Sequence, residues 1–406
     1  MKKEEKRCMM VPLLCREKRC EMKKMLMMAT TAAMIEQFNK NNILILIDMG
    51  YEVHVAGNFE KGNPISEKRL DEFKVWLKEK KCKWFNIPST RKPTDYNNIE
   101  AYKKVIELIN EYRYEFIHCH TPIGSVIARC AAHKTHTPVI YTAHGFHFYK
   151  GAPLKNWLIY YPVEKFLSRW TDLLILINKE DYDRAKSFKA KEVIFVPGVG
   201  IDLNKFNTVK IDKNEKKKQL GIQEDEFMIL SVGELIPRKN HEIVIKALSV
   251  LNQRKQLDNI KYVICGQGGY KEHLEKLAKD LEVEKYVHFL GYRSDISEIC
   301  KCSDLFVFMS YQEGLSVALM EAMASGIPIV CSNIRGNNDL IANEVNGLMP
   351  NNTSEDLASA IIKMKENPSF RENMASAALE SIKKYDIENV KIEMQKIYSH
   401  SFREVK

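Results

Sequence analysis

Short apolar runs alternate with helix-like stretches along almost the whole chain, and the alternation starts afresh half-way. In the first cycle Lys24–Thr30, Glu52–Ala56, Phe116–Cys119, Pro138–Thr142, Leu173–Ile177 and Val193–Val196 read as strands. Between them Met34–Met49, Ser66–Lys80, Ile99–Tyr112 and Gly124–Lys134 read as helices. The run Val196-Pro-Gly-Val-Gly-Ile-Asp202 is a turning point, followed by polar residues up to about Gly221. A second cycle then opens with Phe227–Val232 and continues through Tyr262–Cys265, Val287–Leu290, Leu305–Met309 and Ile327–Cys331. Alternation of this kind builds parallel sheets covered by helices on both faces. A chain of 406 residues exceeds one ordinary core, so two domains of about 200 residues each are expected. The fold class is therefore α/β, with two Rossmann-like domains facing across a cleft. The expected divisions are a leader at 1–22, domains at 23–205 and 206–385, and a C-terminal helix at 386–406 able to cross back.

The segment Glu313–Val330, EGLSVALMEAMASGIPIV, carries the most chemistry. Glu313-Gly314 reads as loop, Ser316 as a helix N-cap, and Gly326 with Pro328 as the stop. Unpaired amides at Ser316, Val317 and Ala318 would suit a diphosphate. Glu321, about a turn and a half in, could accept from ribose hydroxyls, and Glu313 with Gly314 and Leu315 could meet a sugar. The plain alternative is an amphipathic helix with two surface glutamates.

The two glutamates and their spacing resemble the E-x7-E signature of retaining glycosyltransferases of family 4, which have the GT-B fold. The resemblance runs from about Met25 to the C-terminal helix. Val232-Gly-Glu-Leu-Ile-Pro-Arg-Lys-Asn-His241 is similar to the family's strand and basic loop, Val263–Gly269 to its second Gly-rich turn, and Leu290-Gly-Tyr292 to its base-binding turn. It implies that Gly233 gives a tight turn and that Arg238 and Lys239 neutralise a departing diphosphate. Glu234 stands where many members have Arg, which leaves that role to Lys239 and Arg238. Tyr292 would sit at the base, or simply pack its own turn. Gly336 and Asp339 stand where the family has Gly followed by Glu. His144 matches the family's histidine near the reaction centre, and a neutral imidazole there can serve the sugar or acceptor oxygen. His147 could equally be structural. In His118-Cys119-His120 both histidines share one strand face, so His120 faces the acceptor side while His118 suits a core. Where the family has a Gly-rich loop after the first strand, this chain has Ala29-Thr-Thr-Ala-Ala33.

The formal charge is only +9, and residues 1–24 hold nine Lys/Arg against four Glu. That leader lacks a secretory apolar run; it reads either as a disordered basic tail or as preceding a translation start near Met22 or Met25, and the later start fits the first strand. Nowhere do about 18 apolar residues follow one another, so no spanning helix is expected. Ten cysteines without framework spacing fit a reducing cytosol. Cys300-Lys-Cys302 has no second pair, and Asp181-Tyr-Asp183 lies in a polar helical stretch rather than a loop. No metal and no cofactor are expected beyond the nucleotide-sugar donor. Lys155–Trp170, KNWLIYYPVEKFLSRW, is aromatic and basic, as suits a bilayer interface, or else a buried helix broken at Pro162.

The resemblance implies transfer of a hexose or N-acetylhexosamine from a UDP-sugar to a polyprenyl-linked saccharide in exopolysaccharide or capsule synthesis. The expected place is cytoplasmic, with peripheral contact at the inner face of the membrane. Two rivals are a UDP-sugar epimerase of the same architecture and a basic nucleic-acid binder. No basic-aromatic RNA motif supports the second, and no nucleic-acid partner is expected.

Overall fold

A computed structural model describes residues 22–400; the expectation for the basic leader falls on residues outside these. The first domain carries seven parallel strands: β1 Lys24–Thr31, β2 Glu52–Asn58, β3 Lys83–Asn86, β4 Phe116–His120, β5 Val139–Ala143, β6 Leu173–Leu176 and β7 Glu192–Phe195. Their order is β3-β2-β1-β4-β5-β6-β7. The second domain carries five parallel strands: β8 Phe227–Val232, β9 Ile260–Cys265, β10 Val287–Gly291, β11 Leu305–Phe308 and β12 Ile329–Cys331. Their order is β10-β9-β8-β11-β12.

Helices cover both faces of each sheet, which is why the strands read as unbroken apolar runs. Met25, Leu26, Met27 and Met28 of β1 are all fully buried, two on each side. In each sheet the chain first builds outward from one strand and then returns to pair on its other side. That reversal occurs between β1 and β4 and between β8 and β11. Ligand crevices form outside the carboxyl ends of strands at such reversals. Here the two crevices face each other.

The final helix, Ile387–His400, does not pack on the second domain that precedes it. Val390, Met394, Ile397 and Tyr398 join the core beneath the first sheet. Full burial of an apolar side chain contributes about 1.5–3 kcal/mol, so this helix ties the two domains by ordinary core packing. Beside it the linker is pinned twice, by Ile201 N–H to Tyr385 O and Ile387 N–H to Ile201 O, both 2.9 Å.

Three local expectations need correction, and one strand went unread. The helix expected over Met34–Met49 is two, Ala32–Phe38 and Lys40–Asp48, separated at Asn39 with φ −124° and ψ 3°. Asn is a poor helix former, and three of the residues at 39–42 are Asn. The small-residue loop expected at Ala29–Ala33 is almost absent, because β1 runs to Thr31 and the helix opens at Ala32. The helix Leu154–Leu167 continues through Pro162 rather than breaking there. Its flanks hold it: Trp157 and Tyr161 pack on Phe148, and Glu164 meets Arg129 at 2.8 Å. The short edge strand β3, KWFN, has too little apolar content to stand out in the sequence.

Candidate active site

The β8 strand ends at Val232, and Gly233 begins the turn that leads into the short 3-10 helix Pro237–Lys239. The Lys239 stem lies over Gly233, where a Cβ would sit 3.4 Å from its Cδ and Cε. Its ammonium group reaches Glu313 Oε1 at 2.8 Å. Arg238 approaches the same oxygen at 3.2 Å and donates to the Gln312 carbonyl at 2.6 Å. One carboxylate thus receives both cations of the basic loop.

Glu313 precedes the helix Val317–Ala324. Ser316 caps it with φ −87° and ψ 113°, its hydroxyl accepting from Leu319 N–H at 3.3 Å. The amides of Val317 and Ala318 have no acceptor within the helix, as the first turn requires. They open onto an interdomain cavity of about 640 Å³, whose wall also includes Gly233, Lys239, Glu313, Gly314 and Leu315. Across it stand His144 and Gly145 of the loop after β5.

The two domains touch at glycines. A Cβ on Gly314 would lie 1.8 Å from the His144 carbonyl oxygen, and one on Gly145 3.0 Å from Gly314 Cα; within the second domain a Cβ on Gly336 would lie 2.3 Å from the Gly314 oxygen. Beside this contact lies Arg335, a residue that the sequence reading passed over in favour of its neighbours Gly336 and Asp339. Buried, it donates to Glu313 O at 3.0 Å and to Phe146 O at 2.8 Å, and pairs with Asp181 Oδ1 at 2.9 Å. Nothing in the local sequence marks it, because its partners are 22, 189 and 154 positions away.

The histidines form a buried chain. His118 is bonded on both ring nitrogens, to Tyr398 Oη and Thr142 Oγ1, each at 2.8 Å. It is a satisfied core residue. His120 Nδ1 lies 3.1 Å from His144 Nε2, and its other nitrogen lies 3.2 Å from Met27 Sδ. Burial lowers all three: His118 to about 3, His144 to about 4, and His120 well below the usual value, with His118 adding repulsion. All three are therefore neutral at physiological pH, and His144 can donate or accept but carries no charge.

Other candidates lie apart. Glu321 is outside this cavity's wall; burial raises its carboxyl, and the charge of Lys205 opposes that rise. Tyr292 is 64% exposed and does not line the cavity. Asp339 accepts from Lys179 N–H at 2.9 Å, so this carboxylate ties the domains together. Asp181 and Asp183 point to different surroundings. The first is buried on Arg335 and Phe146 N–H, the second pairs with Lys186 at 2.6 Å on the surface. Cys300 and Cys302 are buried in the second domain's core, and burial pushes the Cys302 thiol up to about 11.

Residues 29–178 match the family model described as glycosyl transferase 4-like, and residues 212–381 match glycosyl transferases group 1. EpsD of Bacillus subtilis (strain 168) is 34% identical over 384 residues, covering 93% of this chain and 96% of that protein. The chain belongs to the group 1 glycosyltransferases. An Escherichia coli relative of this glycosyltransferase, named UDP-Gal:alpha-D-GlcNAc-diphosphoundecaprenol alpha-1,3-galactosyltransferase, is 30% identical over 287 residues. The match covers 68% of this chain and 74% of that one. Among solved structures, Anabaena HepE in complex with UDP and glucose superposes with a TM-score of 0.74 at 21% identity. It covers 93% of this chain and 99% of that one. The lipopolysaccharide glycosyltransferase WaaG superposes with a TM-score of 0.70 at 19% identity, over 93% and 100% of the two chains. These likenesses establish the GT-B fold.

Proposed function

We propose that this glycosyltransferase moves a hexose or N-acetylhexosamine from a UDP-sugar to a lipid-linked saccharide, with retention, in cell-surface polysaccharide synthesis. One observation carries the reading: Lys239, Glu313 and the capped start of the Val317–Ala324 helix line one cavity faced by His144. Cation and helix dipole together suit a diphosphate. The carboxylate that Lys239 and Arg238 now hold is placed to take sugar hydroxyls instead once phosphate replaces it on Lys239. The names of the relatives support the substrates, since one uses UDP-Gal and an undecaprenyl diphosphate acceptor. Another, from Campylobacter jejuni, is named for a diphospho-undecaprenol acceptor as well.

In this reading the bond from the anomeric carbon to the β-phosphate oxygen breaks as the acceptor oxygen bonds on the same face. The acceptor proton passes to the departing phosphate. Lys239, Arg238 and the Ser316–Ala318 amides stabilise the charge that develops there. Glu313, Gly314 and Leu315 hold the sugar, and the nucleoside extends past this cavity's wall towards Glu321 for the ribose and the turn at Tyr292 for the base. His144, backed by His120, offers a neutral polar group to the sugar or the acceptor. The positive charge at the leaving group comes from side chains, so no metal enters the step.

We also place the enzyme on the cytoplasmic face of the membrane. Among the described residues no helix is long and apolar enough to cross a bilayer. The helix Leu154–Leu167 instead exposes Leu154, Leu158 and Phe166 beside Lys155 and Lys165, as interfacial contact requires. The test is UDP release from a panel of UDP-sugars, with and without membrane extract, followed by the anomeric configuration of the product. Extract-dependent release with an axial donor giving an axial product is expected. Conversion of the UDP-sugar without acceptor, or an inverted product, contradicts the proposal.

A further inference from the structure

The donor cavity does not end at the cleft. Met34, Gln37, Phe38 and His147 wall it and also wall a second hollow of about 310 Å³ over the ends of β1 and β4. That hollow shares Pro93, Pro122, Ile123 and Tyr160 with a groove of about 620 Å³ on the outer face of the first domain. The three spaces adjoin in order through these shared walls, each of a size that ligand sites commonly have.

The chemistry changes in order along them. It is charged at Lys239 and Glu313. It is mixed in the middle hollow, where Thr30, Thr31 and Thr121 stand near Arg91. Arg91 is exposed and has no ion-pair partner among the described residues. Beyond it the groove turns apolar, walled by Ile99, Tyr102, Ile123, Val126, Ile159 and Val163 from three helices. Ile99, Ile159 and Val163 are 50%, 59% and 43% exposed, although they face one another across a concave surface. The groove's one carboxylate, Glu164, is already spent on Arg129.

We propose that this groove seats the hydrocarbon chain of the acceptor lipid, with Arg91 on the phosphate that joins chain to saccharide. A lipid-linked saccharide presents hydroxyls, then phosphate, then hydrocarbon, and the three spaces offer partners for them in the same sequence. The inference rests on the lipid-linked acceptor proposed above. Continuity with the cleft favours a substrate chain over a protein segment, which would have no reason to lead to the reacting centre.

The probe is geranylgeranyl diphosphate, with binding measured by titration calorimetry on the full chain. Val126→Glu and Ile99→Glu should weaken it at least tenfold while leaving UDP affinity unchanged, which also shows that the variants fold. Arg91→Ala should weaken the diphosphate but not geranylgeraniol. Leu158→Glu, on the outer side of its helix, should bind the probe as the native chain does. Absence of binding to the native chain, or native affinity in both groove variants, overturns the proposal. So does a parallel loss of binding to plain phosphatidylglycerol vesicles, which would make this face a bilayer contact. The two readings separate by transfer assays. Lipid binding without sugar transfer to any lipid-linked saccharide contradicts the acceptor reading alone. Equal transfer to a saccharide diphosphate with and without its chain contradicts the groove alone.

Discussion

Glu313 is the residue on which the candidate site turns, because two cations meet on its carboxylate just before the start of a helix. Its replacement by Gln removes the negative charge but keeps the shape. Transfer should fall at least about 100-fold in kcat/KM, the scale of losing one transition-state contact. UDP affinity should hold or rise, since Lys239 is released from its carboxylate. A parallel loss of UDP binding would place Glu313 on the nucleotide instead. The buried histidines give a second prediction. Their folded values, about 3 for His118 and about 4 for His144 and His241, lie below the unfolded value of 6.5. The unfolded chain therefore binds more protons at acid pH, so stability is complete above about 6.5 and declines as pH falls towards 4. Each such histidine contributes about 1.4 kcal/mol per pH unit within that window. Thermal melts should show the transition temperature falling from pH 7 to pH 4.5; a flat profile would mean that these rings are not held neutral. The sequence displayed Glu313, Lys239 and His144 because each sits in a short local pattern. Arg335 left no such trace, since every partner that gives it a role is brought by the fold.

At the scale of elements, the contact between the loop after β5 and the loop after β11 sets how near the two domains come. Gly314 allows it, for any side chain there would strike the His144 carbonyl 1.8 Å away. Gly314→Ala should leave each domain folded, with an unchanged circular dichroism spectrum, yet reduce kcat by about tenfold or more, as small misplacements of a reacting group do. Native kcat would show that this approach has no part in turnover. Strand and helix positions were legible wherever burial on both faces produced long apolar runs, as in β1 and β8. They were less so where local and tertiary preferences disagreed. β3 is an edge strand that buries little, and Pro162 remains inside a helix because Phe148 and Arg129 hold residues on both sides of it. The break at Asn39 was readable from composition, but the apolar periodicity around it pointed to one continuous helix.

For the whole molecule, a buried ion pair and a shared helix hold the domains together. Arg335 from the second domain meets Asp181 of the first, both almost fully buried. Arg335→Met removes the short pair but leaves that carboxylate Phe146 N–H, the Asn178 amide and Arg184 at 3.9 Å, so the cost should lie near the lower end of the about 3–5 kcal/mol for a broken buried pair. Urea unfolding should show a loss of that size, and a loss below about 1 kcal/mol would mean that solvent reaches the pair. The two-domain architecture could be read from the repeated alternation, whereas the closeness of the domains could not, because it depends on glycines and on one arginine. In the proposed reaction these parts serve one end, a diphosphate held between Lys239 and the Val317–Ala324 helix. Calorimetric titration of UDP and UMP into the native and Lys239→Ala proteins measures that hold directly. The native chain should prefer UDP, and the substitution should narrow the preference about tenfold, or about 1.4 kcal/mol. An equal preference for UDP in both proteins would contradict it.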